Sequence, residues 1–100
     1  MNYDFALKAM PLDRVRQLRL HEVRAECRRR ITAAGWPEFR QLNAQSEFIA
    51  TGDNTEVLAS RLVIEPLRAK SNALEAWVAT ADREALLALN VRDAAHWIDS

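Results

Sequence analysis

The chain predicts an all-α fold, a small helical bundle built on a helix hairpin with a short C-terminal helical extension, and three observations carry that prediction. Long stretches rich in Leu, Arg, Glu and Ala, all strong helix formers, place apolar residues at steps of three and four. The two glycines, Gly35 and Gly52, fall between such stretches. Strand-like alternation is confined to residues 1–10, too short and isolated to make a sheet. With 100 residues, 49% of them hydrophobic, one domain with one core is expected. It divides into an arm at 1–10, core helices at 11–80 and short helices at 81–100.

In the arm, Tyr3, Phe5, Leu7 and Ala9 alternate, and the aromatic pair needs a surface to bury itself on. Pro11 opens a long helix to about Ala34, since proline is tolerated at a helix start. Its expected core face is Leu20, Val23, Cys27, Ile31 and Ala34, extended backward by Leu12 and Val15. Glu26 stands four residues before Arg30, the favourable order for a helical ion pair worth roughly 0.2–0.5 kcal/mol. Arg28, Arg29 and Arg30 complement the negative end of the helix dipole.

Gly35 ends that helix, Trp36 is pushed from helical geometry by Pro37, and Pro37 opens a second helix to about Thr51. Phe39, Leu42 and Phe48 or Ile49 are expected inward, and helices joined so tightly are expected to pack together. Asp53 or Thr55 is available to cap a third helix ending near Thr80. Leu58, Leu62, Val63, Leu67, Leu74 and Trp77 are its expected inward face, and Pro66 predicts a kink or break near Ile64-Glu65. Asp82 caps a short helix from Arg83 to Leu89, and Val91 to Ile98 forms a last amphipathic turn or two.

The longest apolar run, Ala85 to Leu89, is far below the roughly 20 residues of a membrane span. With no leader pattern at the N-terminus, a cytoplasmic location is expected. Cys27, alone and in an apolar stripe, reads as a small buried side chain rather than a reactive or metal-binding thiol. Net charge is zero, yet residues 11–40 hold eight Arg against four acids, and residues 41–100 hold nine acids against five bases. Mutual neutralisation, within the fold or across a self-association contact, is the expected explanation; a docked acidic partner or nucleic acid is the alternative.

No catalytic constellation is present in the sequence pattern. His21 and His96 have no second metal-type residue at a ligand spacing. Asp93 and His96 read as a surface pair, and no Gly-rich phosphate loop exists. An enzyme, a cofactor, a metal and a small-molecule substrate are therefore not expected. A helix-turn-helix over residues 20–50 is the competing reading, offering Arg40, Gln41, Asn43 and Gln45 to base edges. That helix also carries Glu38 and Glu47, and the Arg surplus lies on the preceding one, so nucleic acid is the least favoured partner. Gln41, Asn43 and Gln45 on one side and Arg68, Ser71 and Asn72 on the other are expected to hydrogen-bond across the helix pair and set its register.

Arg29-Arg30-Ile31, Pro37-Glu38-Phe39-Arg40-Gln41-Leu42-Asn43, Ile64, Leu67-Arg68 and Ser71-Asn72-Ala73-Leu74-Glu75-Ala76 resemble small helical tail and tail-fibre assembly proteins of tailed bacteriophages. In that family the turn reads roughly Pro-x-aromatic-basic-Gln-x-Asn and the second block Arg-x-x-Ser-Asn-x-Leu-Glu. The likeness spans about residues 22–76; Pro66, the arm at 1–10 and the tail at 81–100 depart from it. It implies a non-enzymatic protein-binding protein of a phage or prophage, a tail or tail-fibre assembly chaperone in the host cytoplasm. A structural virion component is the alternative, and a small DNA-binding regulator the third. The implied partner is another phage protein or a second copy, with no membrane involved. Tyr3, Phe5, Trp97 and Ile98 are the expected contact residues.

Overall fold

The computed structural model describes residues 9–98, and among these the secondary structure is helical with no strand. Four α-helices follow in order: α1, Leu12–Ala33; α2, Glu38–Thr51; α3, Thr55–Thr80; and α4, Arg83–Ala88. A short 3₁₀ turn, Ala94–His96, is the last element among the described residues. The all-α bundle expected from the sequence is thus the fold, and α3 is its spine.

The corner after α1 is closed by hydrogen bonds of the chain itself. The Trp36 amide donates to the Ile31 carbonyl at 3.1 Å and the Gly35 amide to that of Thr32 at 3.0 Å. This is a Schellman ending, in which Gly35 takes the left-handed conformation, φ 97°, and Trp36 and Ile31 supply its buried apolar pair. Gly52, φ 77°, ends α2 similarly, its amide donating to the Phe48 carbonyl at 2.8 Å.

The main packing of α1 and α2 is against α3 rather than against each other, which corrects the expectation for the first two helices. Cys27 meets Leu67, Arg24 meets Glu75 and Arg16 reaches Val78 and Ala81, so α1 runs antiparallel to the second half of α3. The first half of α3 faces α2. Helix α3 runs unbroken through Pro66. The proline is exposed, and the Leu62 carbonyl that loses its donor belongs to an exposed residue, open to solvent.

The inner face of α3 agrees with the expected one at Val63, Leu67 and Leu74 and departs from it at Leu58, Leu62 and Trp77. Val57, Ser60, Ile64, Leu67, Ser71, Leu74 and Val78 alternate in steps of three and four and are buried or half-buried, while Leu58, Leu62 and Trp77 are exposed. On α1 the buried stripe is Val15, Arg19, Val23, Glu26, Cys27 and Ile31, with Leu12 and Leu20 half-buried and Ala34 exposed. Leu86, Val91 and Trp97 from the C-terminal segment complete this core. On α2 the sole buried residue is Ala44; Phe39, Leu42, Phe48 and Ile49 are all exposed. These four were the residues expected inward; the buried position is instead taken by Ala44, which the expected face did not include.

The arginine surplus is absorbed largely by backbone carbonyls and by acids on the same helix. Arg16 donates to the carbonyls of Val78 (3.1 Å) and Ala81 (2.7 Å), at the end of α3. One turn on, Arg19 donates to those of Leu86 (2.8 Å) and Leu87 (3.3 Å), at the end of α4. The last carbonyls of a helix lack intrahelical donors and carry the negative end of its dipole, so two guanidinium groups of α1 satisfy both helix ends. Glu26, buried, accepts from Arg29 and Arg30. Arg24–Glu75 and Arg40–Glu56 join the basic and acidic stretches directly.

Candidate functional site

One end of the molecule is sealed and the other is open. At the sealed end, α1, the second half of α3, α4 and the C-terminal segment enclose the core. Trp97, expected as a contact residue, belongs there: it is 4% exposed and its Nε1 donates to the Val91 carbonyl at 2.8 Å. The Arg30 guanidinium lies 5.7 Å from the centre of its ring and donates to the Arg92 carbonyl. Burial between α1 and residues 91–97 thus removes Trp97 from any surface. Ile98 is exposed, and Tyr3 and Phe5 lie outside the described residues.

At the open end a groove of about 440 Å³ runs between α2 and the first half of α3. Its floor is Ala44, Ile64 and Val57, and its apolar walls are Phe48, Ile49 and Leu58. Gln41, Gln45, Arg61, Glu65 and Arg68 supply the polar lining. Leu42 and Ile49, seven residues apart, share one face of α2, and Leu58 and Leu62 share one of α3. Exposure reaches 68% at Phe39, 84% at Ile49 and 81% at Leu62. Six large apolar side chains, Phe39, Leu42, Phe48, Ile49, Leu58 and Leu62, are therefore in water at this end, more than scattered surface residues explain.

The corner holds the base of the groove. The guanidinium of Arg40 lies 3.8 Å from the centre of the buried Trp36 ring, donates to the Gly35 carbonyl at 2.7 Å and reaches Glu56 at 3.2 Å. Gln41 donates to the Trp36 carbonyl at 2.9 Å. These bonds tie the turn, α2 and the start of α3 together, and they occupy two side chains that a helix-turn-helix would extend to bases. Asp53 accepts from the Thr55 hydroxyl and amide, which lowers its carboxyl pKa and fixes the turn into α3.

The expected polar network across the helix pair does not form. Gln41 and Arg68 both line the groove and Ser71 is buried, but Asn43 and Asn72 are exposed. Ser71 lies on the inner row of α3 between Leu67 and Leu74, and Asn72, the next residue, is exposed. Asp93 caps the 3₁₀ turn by accepting from the Ala95 amide. Among the described residues no three His, Cys, Asp or Glu side chains are placed to hold a metal ion. Among them also, no helix is long and apolar enough to cross a membrane.

No family model, no curated protein and no solved structure matches the chain. The groove was not singled out by the residue pattern because its walls are the apolar residues that periodicity assigns to a core. The available signal was an excess: α2 and the start of α3 carry more large apolar side chains than one two-helix contact can cover.

Proposed function

We propose that this chain is a non-enzymatic protein-binding module, and that its working surface is the apolar face of α2 and the first half of α3. The observation that carries the reading is the concentration of Phe39, Leu42, Phe48, Ile49, Leu58 and Leu62 in water at one end, beside a core sealed at the other. An open groove between two helices, with Phe48, Ile49 and Leu58 on its walls, fits an amphipathic helix laid along it, its apolar side against Ile49 and Leu58. The likeness to phage tail and tail-fibre assembly proteins supplies the setting: a chaperone that covers an unassembled component in the host cytoplasm. A permanent tail, baseplate or fibre part differs by remaining in purified particles.

Substitution on the face tests the reading. Ile49→Glu should abolish protein association, whereas Asn72→Glu, exposed on the opposite half of α3, should leave it intact. Equal behaviour of the two variants counts against the face. Binding to duplex DNA that weakens steeply with salt would favour the nucleic-acid reading instead. With Arg16, Arg19, Arg30 and Arg40 engaged on carbonyls, such binding has fewer cations to draw on.

A further inference from the structure

We infer that the protein seated on the α2–α3 face is a second copy of this chain, the two copies pairing about a twofold axis to close a four-helix bundle; this rests on the protein-binding reading above. Three observations select a second copy. First, the chain exposes 6898 Å², against about 5,800 Å² for a compact monomer of its mass. The excess, about 1,100 Å², is of the same order as, and larger than, the roughly 800 Å² that one side of a standard protein interface buries. Second, of the three charged residues on the face, Arg61, Glu65 and Arg68, the first two can pair with their own copies across a twofold axis. Arg61 and Glu65 lie four residues apart on the α3 side of the groove. Two α3 helices crossing antiparallel about a point between these residues bring Arg61 of each copy opposite Glu65 of the other. Zero net charge leaves no global repulsion to overcome. Third, a two-helix layer with one open apolar side is half of a four-helix bundle, and a twofold axis supplies the other half from the same sequence. Leu42, Ile49, Leu58 and Leu62 then become core, and Ala44 is no longer the only buried residue of α2.

Sedimentation velocity on the full chain tests the pairing. The wild type should run at about twice its 11.4 kDa mass. Ile49→Glu combined with Leu58→Glu should raise the dimer dissociation constant by at least about 100-fold, with helical circular dichroism retained. Ile98→Glu, exposed outside this face, should remain dimeric. Should the double variant unfold, charge reversal decides: Arg61→Glu and Glu65→Arg each weaken the dimer alone and restore it when combined in one chain. A monomeric wild type, or a dimer indifferent to both sets of substitutions, overturns the inference. If a monomeric wild type still holds a foreign protein that Ile49→Glu releases, the second copy is wrong and the protein-binding reading stands. A monomer that holds none and binds no hydrophobic dye at this face sinks both.

Discussion

Arg19 is the side chain on which the end of α4 depends without belonging to that helix. Buried on α1, it donates to two carbonyls at the end of α4 and to Glu22 at 2.9 Å, while Arg16 does the same service for the end of α3. A lysine at this position has a point charge in place of a planar fork and cannot span both carbonyls. Arg19→Lys is expected to cost about 2 kcal/mol, the range for hydrogen bonds to charged groups, read as a fall in Tm of roughly 10 °C. Glu26 is the acidic counterpart. Hydrogen bonding from Arg29, with help from Arg30 and against the cost of burial, holds its carboxyl below the ordinary carboxylate range. A lowered folded-state pKa means that the stabilisation is complete above the unfolded value, about 4.3, and is lost as pH falls through the folded one. Glu26→Gln should therefore be less stable than wild type by about 2 kcal/mol at neutral pH. Denaturant melts of the two should converge on acidification below the ordinary carboxylate range, and a gap independent of pH would show that the ion pairs are not its source.

At the scale of the element, helix identity was legible throughout, whereas facing was legible on α1, in part on α3 and not on α2. Gly35, Pro37, Gly52 and Asp82 mark boundaries through backbone physics that needs no tertiary information, and α1 to α4 begin and end close to where these residues put them. Facing depends on which neighbour arrives. On α3 the inner row passes through Ser60 and Ser71, so Leu58 and Leu62 outrank it in hydropathy, although the alternation from Val57 to Val78 is the more regular. Buried Arg19 was hidden for the same reason, since its partners are carbonyls at the far end of the sequence; the pairing of Glu26 with Arg30 was legible from their spacing, whereas its burial was not. Two substitutions separate the two kinds of information. Gly35→Ala places a side chain at φ 97°, where its Cβ meets Arg40 only at an ordinary 3.5 Å; backbone conformation alone should cost about 1–2 kcal/mol. Asn72→Leu, which a buried polar network would make damaging, should stay within about 0.5 kcal/mol because Asn72 is exposed. Both are read from urea midpoints with unchanged m-values.

Across the whole molecule, shape and core distribution carry the same message. The radius of gyration is 16.9 Å, against about 13 Å for a compact chain of 100 residues, and the long axis of 54 Å exceeds the short ones of 29 and 21 Å. A helix of 14 residues such as α2 is marginal when isolated, and one buried alanine adds little to hold it. On the pairing inferred above, association adds to the bonds of Arg40 and Gln41 that hold the open end, and association makes stability depend on concentration. If folding is coupled to pairing, unfolding releases two chains, and each tenfold rise in protein concentration stabilises the folded dimer by about 1.4 kcal/mol. With an unfolding entropy of about 2.1 cal/mol/K per residue over two chains, Tm should climb by roughly 3 °C per tenfold. Calorimetry at a series of concentrations measures this directly. The Ile49→Glu, Leu58→Glu variant should melt at a lower temperature that does not move with concentration, because the sealed core of α1, α3 and α4 folds within one chain while α2 has lost its cover. A wild-type Tm as indifferent to concentration as that of the variant would mean that α2 is held by its own chain alone.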